Sequence, residues 1–140
     1  MSHLVVKGET VKDMSHDYEI AARYLQGRLR AAKHAPPVIG VICGSGLSGL
    51  SKCIDASSAL TVNYEDIPGF PQATVAGHFG ELVFGTIGSV EIVCMRGRFH
   101  YYEGNPMATV GMPVRAMRLL GVKLLIVTNA AGGLNQDYNV

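Results

Sequence analysis

Cysteine is scarce in this chain and comes in an odd number: Cys43, Cys53 and Cys94, with no Cys-x-x-Cys pair. That excludes a disulfide framework or a zinc ribbon as the basis of the fold. Cys43 and Cys94 sit in apolar, strand-like runs, where a free thiol behaves as a small buried hydrophobe. All three are therefore read as reduced, in a cytoplasmic protein. The five histidines (His3, His16, His34, His78 and His100) show no metal-ligand spacing, and no metal is expected. Charge is also sparse: 16% of residues are charged, the formal net charge is +1, and no basic block occurs. Nucleic acid and anionic membrane are thus not expected as partners. No apolar run is long enough to cross a bilayer, and the N-terminus lacks the basic-then-apolar pattern of a signal peptide.

What is abundant is apolar residues, 48% of 140, enough for one domain with a real core. Glycine is abundant too, 17 residues that cluster at the ends of strand-like runs. Such placement fits tight turns and backbone approached closely by a ligand.

Residues 1–14 show no periodicity and are expected to form a flexible arm, with a single α/β domain over 15–140. A helix is predicted from Ser15, which can cap it, with Asp17 and Glu19 in the first turn. Ile20 and Tyr24, then Ala21, Leu25 and Leu29, give its apolar stripe, and His34-Ala35-Pro36-Pro37 ends it. Val38–Cys43 reads as a strand covered on both faces. A short helix to about Cys53 and a strand over Leu60–Tyr64 follow. Glu81–Thr86 and Val90–Met95 read as a hairpin turning at Gly88-Ser89. Asn105-Pro106 is a natural N-cap and first helical residue, and Pro113 is expected to break the segment. The predicted result is a helical turn at 106–111, then a helix over 113–120 with Val114, Met117 and Leu120 inward and Gly121 as its stop. Val122–Val127 is a further buried-type strand. Strands alternating with helices predict an α/β fold around a mixed, largely parallel sheet.

Three Gly-rich or polar segments leave such strands, after Cys43, Met95 and Val127, and in open α/β sheets ligands lie beyond those carboxyl ends. Gly44-Ser45-Gly46-Leu47-Ser48-Gly49 offers free N–H groups and a hydroxyl to an anion. It also partly imitates a dinucleotide fingerprint, although without the acidic residue that should follow, and a purely structural turn accounts for it as well. His78, between Gly77 and Gly80, is by default a turn residue. Arg96-Gly97-Arg98-Phe99-His100-Tyr101-Tyr102-Glu103-Gly104 is dense in charge and aromatics. In extended backbone Arg98 and His100 share a side, with Phe99 turned away. An Arg fork beside an imidazole suits phosphate or carboxylate, and an exposed turn of solvated charges is the alternative.

Taken together these residues resemble a known family. Gly44-Ser45-Gly46-Leu47, Gly77-His78-x-Gly80-x-Leu82-Val83-Phe84-Gly85, Gly97-Arg98-Phe99-His100-x-Tyr102-Glu103-Gly104 and Thr128-Asn129-Ala130-Ala131-Gly132-Gly133-Leu134-Asn135 look like the purine nucleoside phosphorylases of the trimeric, inosine/guanosine class, in order and spacing from about residue 15 onward. The related methylthioadenosine phosphorylases share the scaffold but match the last two runs less closely, and an enzyme of that type is the alternative reading. The resemblance implies reversible phosphorolysis of purine (deoxy)ribonucleosides to free base and (deoxy)ribose 1-phosphate, with inorganic phosphate as co-substrate, no cofactor, and a homotrimer. It implies phosphate binding by Ser45, His78, Arg98, Phe99, His100 and Ala130. It places Tyr102 against the ribose and Asn129, Ala131 and Gly132 in the floor beneath the nucleoside. His100 and Glu103 become the catalytic pair, with Glu103 orienting His100.

Three positions depart from the family pattern: Arg96 for glutamine, Ser48 for glycine, and Asn105 for an aromatic residue. Arg96 is expected to face solvent rather than the phosphate. Length is the larger departure, because family members continue for about as much chain again. The residues that recognise the purine are expected in that other part. The 140-residue chain is therefore expected to be inactive alone, as the N-terminal half of such an enzyme or as a non-catalytic phosphate-binding fragment.

Overall fold

A computed structural model describes residues 16–44, 46–72 and 80–138. The expected N-terminal arm, Ser15, Ser45 and His78 lie outside the described residues. The chain forms α1 (Asp17–Ala31), β1 (Ile39–Cys43), a 3-10 turn at Ser48–Cys53, β2 (Leu60–Asn63), β3 (Glu81–Ile87), β4 (Val90–Arg96), α2 (Met107–Leu120) and β5 (Leu124–Val127). The strands make one sheet in the order β2-β3-β4-β1-β5. The α/β class with a mixed sheet is as the residue pattern predicted. Parallel pairing is confined to β4-β1-β5, while β2-β3-β4 is antiparallel. Parallel contacts are thus half of the sheet and not most of it. The hairpin explains this: Gly88 takes φ +61°, so β3 returns directly as β4.

Side chains alternate across the strands, and the two faces are covered unequally. On one face Ile42, Val62, Leu82, Phe84, Val93 and Met95 pack with Ala21, Leu25 and Leu29 of α1 and Met112, Ala116, Met117 and Leu120 of α2. On the other, Cys43, Val83, Ile92 and Cys94 pack with Ile54 and the half-buried Ile39 and Val41. The Cys43 and Cys94 sulfurs lie 3.6 Å apart as buried free thiols, whereas Cys53 is exposed. Burial, then the neighbouring Cys43, pushes the Cys94 thiol up to about 12, so it stays protonated and inert.

Two helical expectations need correction. α2 is one continuous helix with Pro113 inside it. Proline withdraws an N–H from the ladder, but the buried face of Thr109, Met112, Pro113, Ala116, Met117 and Leu120 holds the helix together across it. Val114 is exposed, and Met112 and Ala116 occupy the face assigned to it. In α1, Ile20 is likewise exposed and Ala22 is buried in its place. Gly121 does end α2, with φ +119°. Within the described residues no helix is long and apolar enough to span a membrane.

Candidate active site

The three parallel strands β1, β4 and β5 point the same way, so their carboxyl ends open on one edge of the sheet. Each then releases the chain into one of the segments that the sequence singles out. Gly44 leaves β1 and is packed against the exit of β5. A Cβ at this position would lie 2.5 Å from the Thr128 carbonyl oxygen and 2.8 Å from the Asn129 Cα. Only glycine permits that approach. The Gly44 N–H donates to Thr128 Oγ1 at 2.9 Å, and the Thr128 hydroxyl donates to the Ile42 carbonyl at 3.0 Å.

Arg98 reaches the same point from β4, its guanidinium donating to the Thr128 carbonyl at 3.3 Å. Arg98 Nε donates to His100 Nε2 at 2.8 Å, and His100 Nδ1 meets Glu103 Oε1 at 2.9 Å. An arginine N–H can only donate, so His100 Nε2 is the acceptor and Nδ1 carries the proton toward the carboxylate. The His100 and Glu103 side chains are largely enclosed. Glu103 Oε2 also accepts from the His100 backbone N–H at 3.2 Å and from Asn105 Nδ2 at 3.3 Å. Asn105 Nδ2 lies 3.1 Å from the His100 carbonyl as well. Asn105 thus serves the His100–Glu103 turn and not the helix, whose N-cap is Pro106.

The Phe99 ring turns away from Arg98 and His100, as the alternation predicted, and packs inward against Tyr64 and Phe70 at 5.5 and 6.3 Å between centroids. It can anchor the wall, but its side chain cannot line it. Tyr102 stacks on the His100 imidazole at 4.6 Å with 81% of the residue exposed. Asn129, Ala130, Ala131 and Gly132 are exposed in an irregular segment, with Asn129 alone brought against Gly44.

Arg96 corrects the expectation that it faces solvent. Its guanidinium pairs with Glu81, and the two side chains are only 19% and 17% exposed. On the other face of β4 the Tyr64 hydroxyl donates to the Arg96 and Gly97 carbonyls, at 3.1 and 2.5 Å. Burial, then the Glu81 carboxylate, holds the Tyr64 phenol above its ordinary range, so it remains a donor. Thr128 opens the last of the family-like runs without an assigned role, and Tyr64 and Glu81 are neighbours of this segment that the motif reading leaves out. Only Glu81 left a usable signal: in a hairpin turning at Gly88-Ser89 it falls directly opposite Arg96.

Comparison with known proteins adds to this geometry. Over 124 residues the chain is 48% identical to the purine nucleoside phosphorylase of Bos taurus, covering 89% of this chain and 41% of that protein. It is 47% identical over 125 residues to purine nucleoside phosphorylase 1 of Bacillus subtilis (strain 168), covering 89% and 44%. A crystal structure of purine nucleoside phosphorylase in complex with ribose-1-phosphate superposes with a TM-score of 0.79 at 45% identity, covering 89% of this chain and 44% of that one. The chain therefore spans less than half the length of these relatives. The sequence model of the phosphorylase superfamily matches residues 38–140, a stretch that runs from the first residue before β1 through all three converging strand exits. By this match, the chain belongs to the phosphorylase superfamily.

Proposed function

We propose that this chain carries the phosphate and ribose side of a purine nucleoside phosphorylase site, which converts a purine (deoxy)ribonucleoside and inorganic phosphate to free base and (deoxy)ribose 1-phosphate. The convergence of Gly44, the Arg98–His100–Glu103 relay and Thr128 at one sheet edge is the observation that carries this reading. The named activity of the relatives, at 47–48% identity, supports it. As the glycosidic bond breaks, positive charge develops on the ribose, and a phosphate held beside it is both nucleophile and counter-charge. In this scheme Ser45, His78, Arg98, His100 and the Ala130 backbone hold the phosphate, and Phe99 anchors the wall. Its oxygens take over the donors that now meet His100 Nε2 and the Thr128 carbonyl. Glu103 keeps the His100 ring in place, Tyr102 closes over the ribose, and Asn129, Ala131 and Gly132 form the floor. Phosphate is the only co-substrate and no cofactor or metal takes part. The assembly is a homotrimer in the cytoplasm, where the free thiols stay reduced.

Because this chain covers 41–44% of its relatives, turnover is assigned to a protein of their full length. Calorimetric titration of the 140-residue chain with inorganic phosphate tests the site directly. Arg98→Ala should weaken binding about tenfold or more, the value of a charge-assisted contact. Equal binding by both proteins would remove Arg98 from the site. Base release from inosine by the 140-residue chain alone should be undetectable, and measurable hypoxanthine would overturn the division of the site between two parts.

A further inference from the structure

The phosphorylase reading leaves Glu81, Arg96 and Tyr64 without a role. Glu81 and Arg96 stand directly opposite one another in the β3–β4 ladder. Their ion pair is mostly shielded from water. Stability alone is a weak reason for such a pair, because desolvating two charges offsets most of their attraction and an apolar pair often serves as well. Its location is more informative. Arg96 ends β4, two residues before Arg98, and in the sheet its Cα pairs with Cys43, the last residue before Gly44. The side chain lies on the same face of β4 as Cys94, two residues earlier. On the opposite, helix-side face, Tyr64 holds the Arg96 and Gly97 carbonyls, while its own N–H donates to the Gly80 carbonyl at 2.8 Å. Its ring is buried against Phe70 and Phe99. Past these ties Gly97 turns with φ +93° and delivers Arg98 and His100.

We propose that the Glu81–Arg96 ion pair and the Tyr64 hydroxyl form a two-sided positioning clamp on the exit of β4, which sets where Arg98 and His100 meet inorganic phosphate; this rests on the phosphorylase reading above. Donors aimed at an anion act best when their geometry is set before the anion arrives. One residue of slack at Arg96 would move both Arg98 and His100. Glu81 has a second effect. It neutralises Arg96, so that a cation close to the β1 exit does not draw the phosphate away from Arg98. Arg96 is thus a positioning residue and not a phosphate ligand.

Titration of the full 140-residue chain with inorganic phosphate, in wild type, Glu81→Gln, Arg96→Gln, Tyr64→Phe and the exchanged pair Glu81→Arg/Arg96→Glu, tests this. Each single variant should bind phosphate about three- to tenfold more weakly, the range of coupling within one polar network. The exchanged pair should return to within about twofold of wild type. Glu81→Gln separates positioning from direct binding: a freed Arg96 acting as ligand would tighten phosphate, and a broken clamp loosens it. Folded single variants that match wild type, or an exchanged pair that regains thermal stability without regaining affinity, would overturn the clamp. Should the charge variants fail to fold, Tyr64→Phe, which keeps the ring, carries the test by the same criterion. If wild type binds no phosphate, the phosphorylase reading falls and the clamp with it. If Arg98→Ala weakens binding while the clamp variants do not, the clamp alone falls.

Discussion

The exits of β4 and β5 leave the same edge of one sheet, yet they are built very differently. After β4, Phe99 is sunk into an aromatic cluster, Tyr64 holds two carbonyls, and Glu103 gathers the His100 ring, the His100 N–H and Asn105. After β5, Thr128 carries the hydrogen bonds to the other exits, Asn129 packs against Gly44, and residues 129–138 are exposed. The strands themselves differ in the same sense. β4 has β3 and β1 on its two sides, whereas among the described residues β5 pairs with β1 alone and leaves Leu124, Ile126 and Val127 exposed. The segment after β4 follows a central strand and has a large side chain, Phe99, buried beneath it. After β5 the ties are few: Thr128 bonds to Gly44 and Ile42 of the neighbouring β1 exit and accepts from Arg98 of the β4 exit.

Three substitutions would break or sharpen this contrast, ordered here by expected cost. Phe99→Ala should be the most damaging, at about 3–5 kcal/mol in urea unfolding, since it empties an aromatic site in the core. A cost below about 1 kcal/mol would mean that the wall does not depend on its anchor. Gly44→Ala should cost about 1–3 kcal/mol, because the new methyl meets backbone of Thr128 and Asn129 and forces the β1 and β5 exits apart. Hydrogen exchange at the Thr128 amide, now bonded to the Ile42 carbonyl, should rise with it; unchanged protection would refute the close approach. Ile126→Ala should change stability by no more than about 0.5 kcal/mol, as expected for an exposed position. A loss above about 2 kcal/mol would reveal that this edge is covered, and sedimentation at several protein concentrations would show whether a second copy covers it.

Much of this was legible in the residues. Continuous apolar runs marked β1 and β4, Gly88-Ser89 marked the hairpin, and Gly121 marked the end of α2, each through local backbone preference or periodicity. Arg98 and His100 sharing a side, with Phe99 turned away from them, followed from strand alternation alone. What local rules misjudged depends on packing. Pro113 reads as a breaker by its missing N–H, and only the burial of six α2 side chains on one face overrides it. Arg96 reads as a solvated charge until the hairpin register sets Glu81 across from it. Asn105 reads as a helix cap until the compact 100–105 turn presents its amide to His100 and Glu103.

The sequence by itself determined the α/β class, the strand-and-turn order and the residues from which the proposed anion site is built, because these rest on periodicities of two and 3.6 and on the chemistry of glycine, arginine and histidine. Tertiary structure alone decided that the exits of β1, β4 and β5 meet, since parallel pairing joins strands separated by tens of residues. It also decided which of the two segments is braced. Bracing requires a buried partner, and which side chains are buried is settled only when the helices close over one face of the sheet.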